Sequence, residues 1–480
     1  MKTLNRRSFL QTSALATAAI ALPARAWSRV IGANEDIRIA VVGFGGRGKE
    51  HIEGFSKLSG VRLVALCDAD QNILDAEAKR LRDKGKSIET YTDVRRLLEN
   101  PNIDAISTAT PNHWHSLISI WACQHGKDVY VEKPVSHNVW EGRKLVEAAR
   151  KYKCIVQTGT QSRSSTGLHE AIQYLREGHL GKIQLARGLC YKRRASIGKA
   201  TGEQAIPAGV DYDLWCGPAP KVPLHRTKLH YDWHWVWDTG CGDLGNQGIH
   251  QMDIARWALG VKELSPRVFS LGGRLGYDDD GETPNTQIVV HDYKPAPLIF
   301  EVRGLPASSG TEKMGNYRGA SIGVVIDCEH GFLTIPSYSG AIAFDKAGNQ
   351  LKKFEGSGDH YENFIKAVRS RKVSDLNADI LEGHLSSALC HTGNISFRLG
   401  REATTREIYE KIEANDEAIE ALGRFEEHLG VNGVDLIKTK AKLGPLLKMN
   451  SRTERFTNNN EANALLTRNY RAPFVVPEKV

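Results

Sequence analysis

The heptapeptide Asp128 to Pro134, DVYVEKP, ends an apolar β-branched run on a lysine, Lys133, with Glu132 before it and Pro134 after it. Ligands of open parallel sheets gather beyond the carboxyl ends of strands, so an ammonium there stands where chemistry can occur. A second set of chemically able side chains falls in GCGDLGNQGIHQMDIARWALG, where Asn246, His250, Asp253 and Trp257 recur at i, i+4, i+7 and i+11, one face of a helix. The His250 imidazole suits removal of a hydroxyl proton near neutral pH, with Asp253 placed to orient the ring. The Lys133 ammonium would stabilise the developing alkoxide, and Asn246 can orient a hydroxyl but cannot accept its proton.

The partner of that chemistry is indicated upstream. In IRIAVVGFGGRGKEHIEGF an apolar run, Ile37 to Val42, leads into Gly43, Gly45 and Gly48 spaced as G-x-G-x-x-G, with Phe44, Gly46 and Arg47 completing the loop. The first glycine allows a tight turn, the second lets backbone approach a pyrophosphate, and the third lets helix and strand pack closely. The phosphates would meet the helix amino terminus. Roughly twenty residues on, VRLVALCD ends in Asp68, whose carboxylate can accept ribose hydroxyls and would repel a 2′-phosphate. No base follows in Ala69, Asp70, Gln71 or Asn72, so the expected cofactor is NAD rather than NADP. Pro111, Asn112 and His115, in STATPNHWH, stand at the opening of the next helix, either beside the nicotinamide ribose or as a cap and a packed histidine. Gln161, in GTQSRSS, is expected at the cleft entrance.

The elements that would position these groups read as α/β. From Ile37 to Gly159 short apolar runs alternate with helical patterns, which predicts a Rossmann-type doubly wound parallel sheet over residues 36–158. Its strands are expected at Ile37 to Val42, Arg62 to Cys67, near Thr90, Ile103 to Thr108, Asp128 to Glu132 and Cys154 to Thr158. Residues 159–400 read as a substrate-binding α+β domain. Its 265–355 stretch is broken by Gly, Pro and Asp turns in the manner of an antiparallel sheet, and helices follow at His360 to Arg371 and Leu381 to Leu399. Residues 401–480 read as a helical extension whose RAPFVVPEKV end packs on a surface or a partner subunit.

Five of the nine tryptophans fall between Trp215 and Trp257. Flat rings among carboxylates and imidazoles suit sugar faces and hydroxyls, which makes Trp233, His234, Trp235, Trp237 and Asp238 candidate substrate residues; core filling is the competing reading. Arg163 could bind an anionic substrate or pair with a carboxylate of its own chain, and Tyr191 to Arg194 add phenolic and basic groups nearby.

Composition narrows the classes. With 480 residues, 41% apolar and 25% charged, the chain is sized for two domains. The net charge of +8 is scattered, and neither a basic block nor a zinc-ligand pattern points to nucleic acid or metal. Asn5-Arg6-Arg7-Ser8-Phe9-Leu10, the alanine-rich run Ala14 to Leu22 and Ala24-Arg25-Ala26 read as a twin-arginine signal over residues 1–26, so export to the periplasm is expected, with no membrane span after cleavage. The eight cysteines lack C-x-x-C spacing and read mostly as reduced core thiols.

Taken together, the glycine fingerprint, ATPNHWH, EKP and GIHQMDIARW resemble the Gfo/Idh/MocA family (glucose-fructose oxidoreductase, inositol dehydrogenase) over most of residues 37 to 400. The resemblance implies a Rossmann domain joined to a second α/β domain whose open, mainly antiparallel sheet faces the nicotinamide and mediates contacts in a homo-oligomer. It implies that Lys133 touches both the substrate hydroxyl and the nicotinamide ribose, with Glu132 in support. Many members carry aspartate where this chain has Asn246. The expected activity is NAD-dependent hydride transfer from a carbohydrate or polyol hydroxyl carbon. The alternatives are a glycoside-cleaving enzyme that recycles its NAD and a non-catalytic sugar sensor.

Overall fold

The computed structural model describes residues 36–294, 296–412 and 415–480; the signal-peptide reading of residues 1–26 lies outside them. Six parallel strands form the first sheet: β1 (Ile37–Val42), β2 (Val61–Cys67), β3 (Glu89–Tyr91), β4 (Ala105–Thr108), β5 (Asp128–Val131) and β6 (Val156–Thr158), in the order 3-2-1-4-5-6. In the central strands β1, β4 and β5 the buried runs are nearly continuous because helices cover both faces, while the edge strand β3 is short and exposed. Side chains alternate between two cores. Ala40, Val42, Ile106 and Val129 pack with Leu117 and Leu145 on one side, while Ile39, Val41 and Tyr130 pack with Phe55, Leu74 and Phe364 on the other. The winding reverses between β1 and β4, which opens a crevice at their carboxyl ends.

The second sheet is mixed and mainly antiparallel. It runs β14 (Gln350–Glu355), β13 (Gly340–Asp345), β12 (Gly331–Ile335), β11 (Ile322–Cys328), β7 (Ile183–Tyr191), β10 (Leu298–Arg303), β9 (Thr286–His291), β8 (Arg267–Gly273), β16 (Ala441–Leu443) and β15 (Arg401–Ala403), with only β7 and β10 parallel. Helices Thr166–Arg176, Gly248–Leu259 and Ile380–Arg398 pack their apolar sides into the core on one face. Helices Thr405–Ile412 and Asp416–Gly430 cover part of the other.

Two expectations change here. The GCGD…ALG stretch forms two helical segments, Gly242–Asn246 and Gly248–Leu259, that meet at Gln247, so Asn246 and His250 do not share one continuous helix. The C-terminal extension is also not purely helical, since it adds β15 and β16 to the second sheet. Its last residues then return to the first domain, where Phe474 is 1% exposed and meets Trp114 edge to face with ring centroids 5.4 Å apart. The apolar end therefore packs on its own chain. All eight cysteines are buried and unpaired.

Candidate active site

A cavity of about 460 Å³ lies in the crevice between the domains. One end is walled by Gly43, Gly45, Gly46, Arg47, Asp68, Ile73 and Asp93, the other by Lys133, Lys192, Arg194, Tyr231, Trp233, His234 and Asn246. The glycine turn has the form a dinucleotide needs. Gly43 has φ +75°, and a Cβ at Gly48 would sit 2.1 Å from the Gly43 carbonyl oxygen, so only glycine lets the helix Gly48–Ser56 start this close to the loop. Asp68 closes the loop from β2: its carboxylate accepts the Phe44 N–H at 3.1 Å and the Asp70 N–H at 3.0 Å. Burial raises its pKa and these two donors pull it back only in part. Lone pairs remain on both oxygens for ribose hydroxyls. Phe44 itself contributes only backbone here, because its ring is buried in the core.

Lys133 leaves the end of β5 and donates from Nζ to the Asn246 carbonyl oxygen at 2.9 Å. Burial lowers its pKa from the ordinary lysine value, Glu132 opposes this, and the charges of Arg47 and Lys192 lower it further. Glu132 is a bracket beneath the site. Its carboxylate takes His51 Nε2 at 3.0 Å, Arg47 Nε at 3.2 Å and the Lys133 N–H at 3.1 Å. Burial pushes this carboxyl up, but His51, Lys133 and Arg47 outweigh it and hold the group well below the usual range. Gln161 stands beside this bracket rather than in the cavity wall, with its amide set between the Gly159 carbonyl and Arg47.

Asn112 and His115 line the cavity, and both are held by neighbours. Asn112 Oδ1 faces the Cys241 thiol at 3.3 Å, while the His115 ring spans the carbonyls of Pro134 at 2.6 Å and Thr110 at 2.7 Å. Pro111 lines the wall ahead of the helix Asn112–Gln124.

Besides His115, two further imidazoles lie within electrostatic reach of Lys133. His250 is 4% exposed and does not line the cavity; its ring meets Tyr338 edge-on at 5.0 Å and its Nδ1 has no hydrogen-bond partner among the described residues. His234 does line the cavity, stacked on Trp233 with centroids 3.6 Å apart. Its Nδ1 meets the Tyr231 carbonyl, so in the neutral ring Nδ1 carries the hydrogen and Nε2 the lone pair. Burial first, with Lys133 adding to it, pushes both imidazoles down to about 3, so both are neutral at pH 7.

Six expected site residues are placed elsewhere. Asp253 does not orient the His250 ring: Arg163 binds both its oxygens at 2.8 Å and Ser386 adds a bond at 2.7 Å, because two buried charges stabilise one another better than either faces an apolar core. Arg163 is thereby withdrawn from substrate binding. Tyr191 points to the far side of the second sheet, its hydroxyl donating to Glu301 at 2.6 Å and accepting from Arg424 at 2.9 Å. Trp237 packs near Phe397 and Arg398, and Arg468 holds the Asp238 carbonyl at 2.9 Å, so neither lines the cavity. Trp235 also lies behind the wall, with the Arg194 guanidinium over its ring at 5.3 Å.

The sequence reading missed the closure of the cofactor end. A segment of the second domain crosses to the first: Gln71 N–H donates to Gly209 O at 2.9 Å, Asp211 N–H to Ala69 O at 2.9 Å, Asn72 Nδ2 to Ala208 O at 2.6 Å, and His230 meets Asp70 at 3.0 Å. Leu214, Trp215 and His230 of this segment wall the cavity. Tyr231, Gln247 and His51 were missed as well. Only Tyr231 had a local signal, its place in the aromatic run.

Comparison with known proteins agrees with this geometry. Two solved dehydrogenase structures share the fold: WlbA from Bordetella pertussis in complex with NADH and UDP-GlcNAcA (TM-score 0.55, 19% identity, 74% of this chain and 94% of that one) and levoglucosan dehydrogenase in complex with NADH (TM-score 0.57, 17% identity, 74% and 95%). Glycosyl hydrolase family 109 protein 1 of Shewanella sp. strain MR-4 and the alpha-N-acetylgalactosaminidase of Shewanella oneidensis are each 33% identical over 174 residues. That match covers 32% of this chain and 38% of those proteins. Residues 181–282 match the C-terminal alpha/beta domain described for the Gfo/Idh/MocA oxidoreductase family, and residues 37–160 match that family's NAD-binding Rossmann fold, so the first domain is similar to an NAD-binding oxidoreductase domain and the cofactor is NAD.

Proposed function

We propose that this chain transfers a hydride between NAD and a hydroxyl-bearing carbon of a sugar or polyol. The observation that carries the reading is Lys133, whose ammonium at the end of β5 enters the same cavity as the glycine turn and the Tyr231–His234 wall. Bound NAD would supply the hydride acceptor, held by the Gly43–Gly48 turn, Asp68 and the opening of the helix Asn112–Gln124. Lys133 would hold the substrate hydroxyl oxygen and stabilise negative charge on it. A neutral imidazole takes the proton: His234, which lines the cavity, offers the Nε2 lone pair, whereas His250, the base expected from the sequence, lies behind the wall. Asn246 contributes its main-chain carbonyl to Lys133 and leaves acid-base work to these groups.

A second reading, transient oxidation followed by elimination of an aglycone and re-reduction, is favoured by two findings. The Shewanella relatives are named as glycoside-cleaving proteins, and the crossing segment walls the cofactor end, which suits NAD that stays bound between turnovers. Purified full chain separates the readings: sugars and polyols with added NAD give net NADH under the first, and aryl glycosides release aglycone without added NAD under the second. Neither product from any substrate of either panel would leave only a binding role. We also infer export by the twin-arginine route from residues 5–26. Fractionation of cells carrying the Arg6→Lys, Arg7→Lys variant tests it, with retention in the cytoplasm expected.

A further inference from the structure

Strand β7 runs out into Lys192, Arg193 and Arg194, and strand alternation sends them to different places. Arg193 turns away to the Tyr277 hydroxyl at 3.1 Å, whereas Lys192 and Arg194 both wall the substrate end of the cavity. Arg194 is already matched. Asp243 binds it through two bonds of 2.7 Å, and the Tyr231 hydroxyl adds a third contact at 2.6 Å.

Lys192 is not matched in this way. Among the described residues its ammonium has one hydrogen-bond partner, the neutral Gln247 Oε1 at 2.8 Å. The Gln247 amide is turned to present that oxygen, because its Nε2 donates to the Tyr338 hydroxyl at 2.7 Å. Three carboxylates wall the cavity. Asp68 and Asp93 are at the adenosine end, and Glu132 is committed to His51, Arg47 and the Lys133 N–H. At the substrate end Glu132 answers Lys133 from beneath, whereas the carboxylate that acts on Lys192, Asp243, is already bound twice by Arg194, so Lys192 has no carboxylate of its own. A partly dehydrated ammonium whose one hydrogen-bond partner is an amide, and whose nearest acting carboxylate is already spent on Arg194, gains from a ligand that brings its own counter-charge.

We propose that the substrate carries an anionic group, a carboxylate in the first instance, that pairs with Lys192 while its reacting hydroxyl meets Lys133. The inference rests on the oxidoreductase reading and narrows its substrate to sugar acids or phosphorylated sugars. Gln247 is then the positioning residue that aims the ammonium, and Arg194 with Asp243 forms the wall behind it.

The test uses the full chain loaded with NADH, whose fluorescence reports both cofactor binding and arrival of a ligand beside it. Glucuronate, glucose 6-phosphate and glucose are titrated into wild type and Lys192→Gln. An anion should bind at least about tenfold more tightly than glucose, and Lys192→Gln should erase the difference while NADH affinity is unchanged. Preference for glucuronate identifies a carboxylate, and preference for the phosphate keeps the anion assignment and changes its source. Glucose binding as tightly as both anions, a preference that survives Lys192→Gln, or no anion binding to the NADH-loaded chain would overturn the proposal. Failure of NADH to bind at all would instead remove the oxidoreductase reading, and this inference with it.

Discussion

Lys133 Nζ donates to the main-chain carbonyl of Asn246 at 2.9 Å, and this single bond joins the carboxyl end of β5 to the opposite domain at the floor of the cavity. The acceptor is backbone, so the position of the ammonium does not depend on the side chain at 246. The geometry bears on why this chain tolerates asparagine there.

Replacing Lys133 by Met removes the ammonium but keeps most of the stem. Turnover should fall by roughly 10²–10⁴-fold, the range for loss of one acid-base or electrostatic group, while NADH affinity changes little. Steady-state rates alongside NADH titration check this, and a near-normal kcat would sink the assignment of Lys133.

Gly48→Ala tests the cofactor turn. The new Cβ would lie 2.1 Å from the Gly43 carbonyl, so loop or helix must shift, at a cost of about 1–3 kcal/mol. Weakened NAD binding and a lowered unfolding midpoint are expected, and tight NAD binding by the variant would contradict the role given to the loop.

Asp253 and Arg163 are expected to matter for stability rather than chemistry. Asp253→Asn leaves the buried Arg163 charge with only the partly exposed Glu382 carboxylate at 3.1 Å, which should cost up to about 3–5 kcal/mol in denaturant unfolding. For the folded fraction KM should be unchanged. A large KM effect with normal stability would return both residues to the substrate site.

Acid should destabilise the protein well before its carboxylates titrate. Burial holds His113, His234, His250 and His291 down at about 3, and His360 and His391 at about 4. In the unfolded chain such groups titrate near ~6.5, so below that value the unfolded state binds more protons. Their contribution is complete above ~6.5 and is lost progressively as pH falls toward the folded values. Glu301, lowered to about 2 by Arg424 and Arg187 against its burial, acts in the same direction at lower pH. Urea midpoints measured from about pH 7.5 down to about pH 5 should decline steadily, and a flat profile would refute the argument.

Phe474→Ala should loosen the C-terminal return. Deleting a ring buried against Trp114 costs about 3–5 kcal/mol. Arg471 of the same return holds Asp213 at 2.8 Å, two residues from Trp215 in the cavity wall, so faster NADH release should accompany the lost stability. Stopped-flow displacement of NADH measures it, and an unchanged rate would separate the tail from the cofactor.

Local pattern was enough for the first domain. Apart from the short exposed β3, the strand runs are mainly apolar over lengths that suit buried parallel strands, and the Gly43–Gly48 spacing, Asp68 and Lys133 all lie at carboxyl ends of strands, so their convergence follows from the winding alone. The second domain was legible only as a class. Its aromatic run reads the same whether a ring faces a ligand or a core: Trp233 and His234 reached the cavity, while Trp235 and Trp237 went behind it.

What the amino-acid order determined by itself was the nucleotide domain, its turn and the lysine at the tip of β5, because strand period, glycine geometry and helix start are short-range properties. Tertiary structure alone decided who partners whom. Asp253 stands three positions from His250 yet answers Arg163, 90 residues away, and the cofactor end of the cavity is walled by residues 208–230 reaching back to Ala69–Asn72. Charge pairing and burial act through space, so the choice between a ligand-facing and a self-paired side chain is made only when distant segments meet.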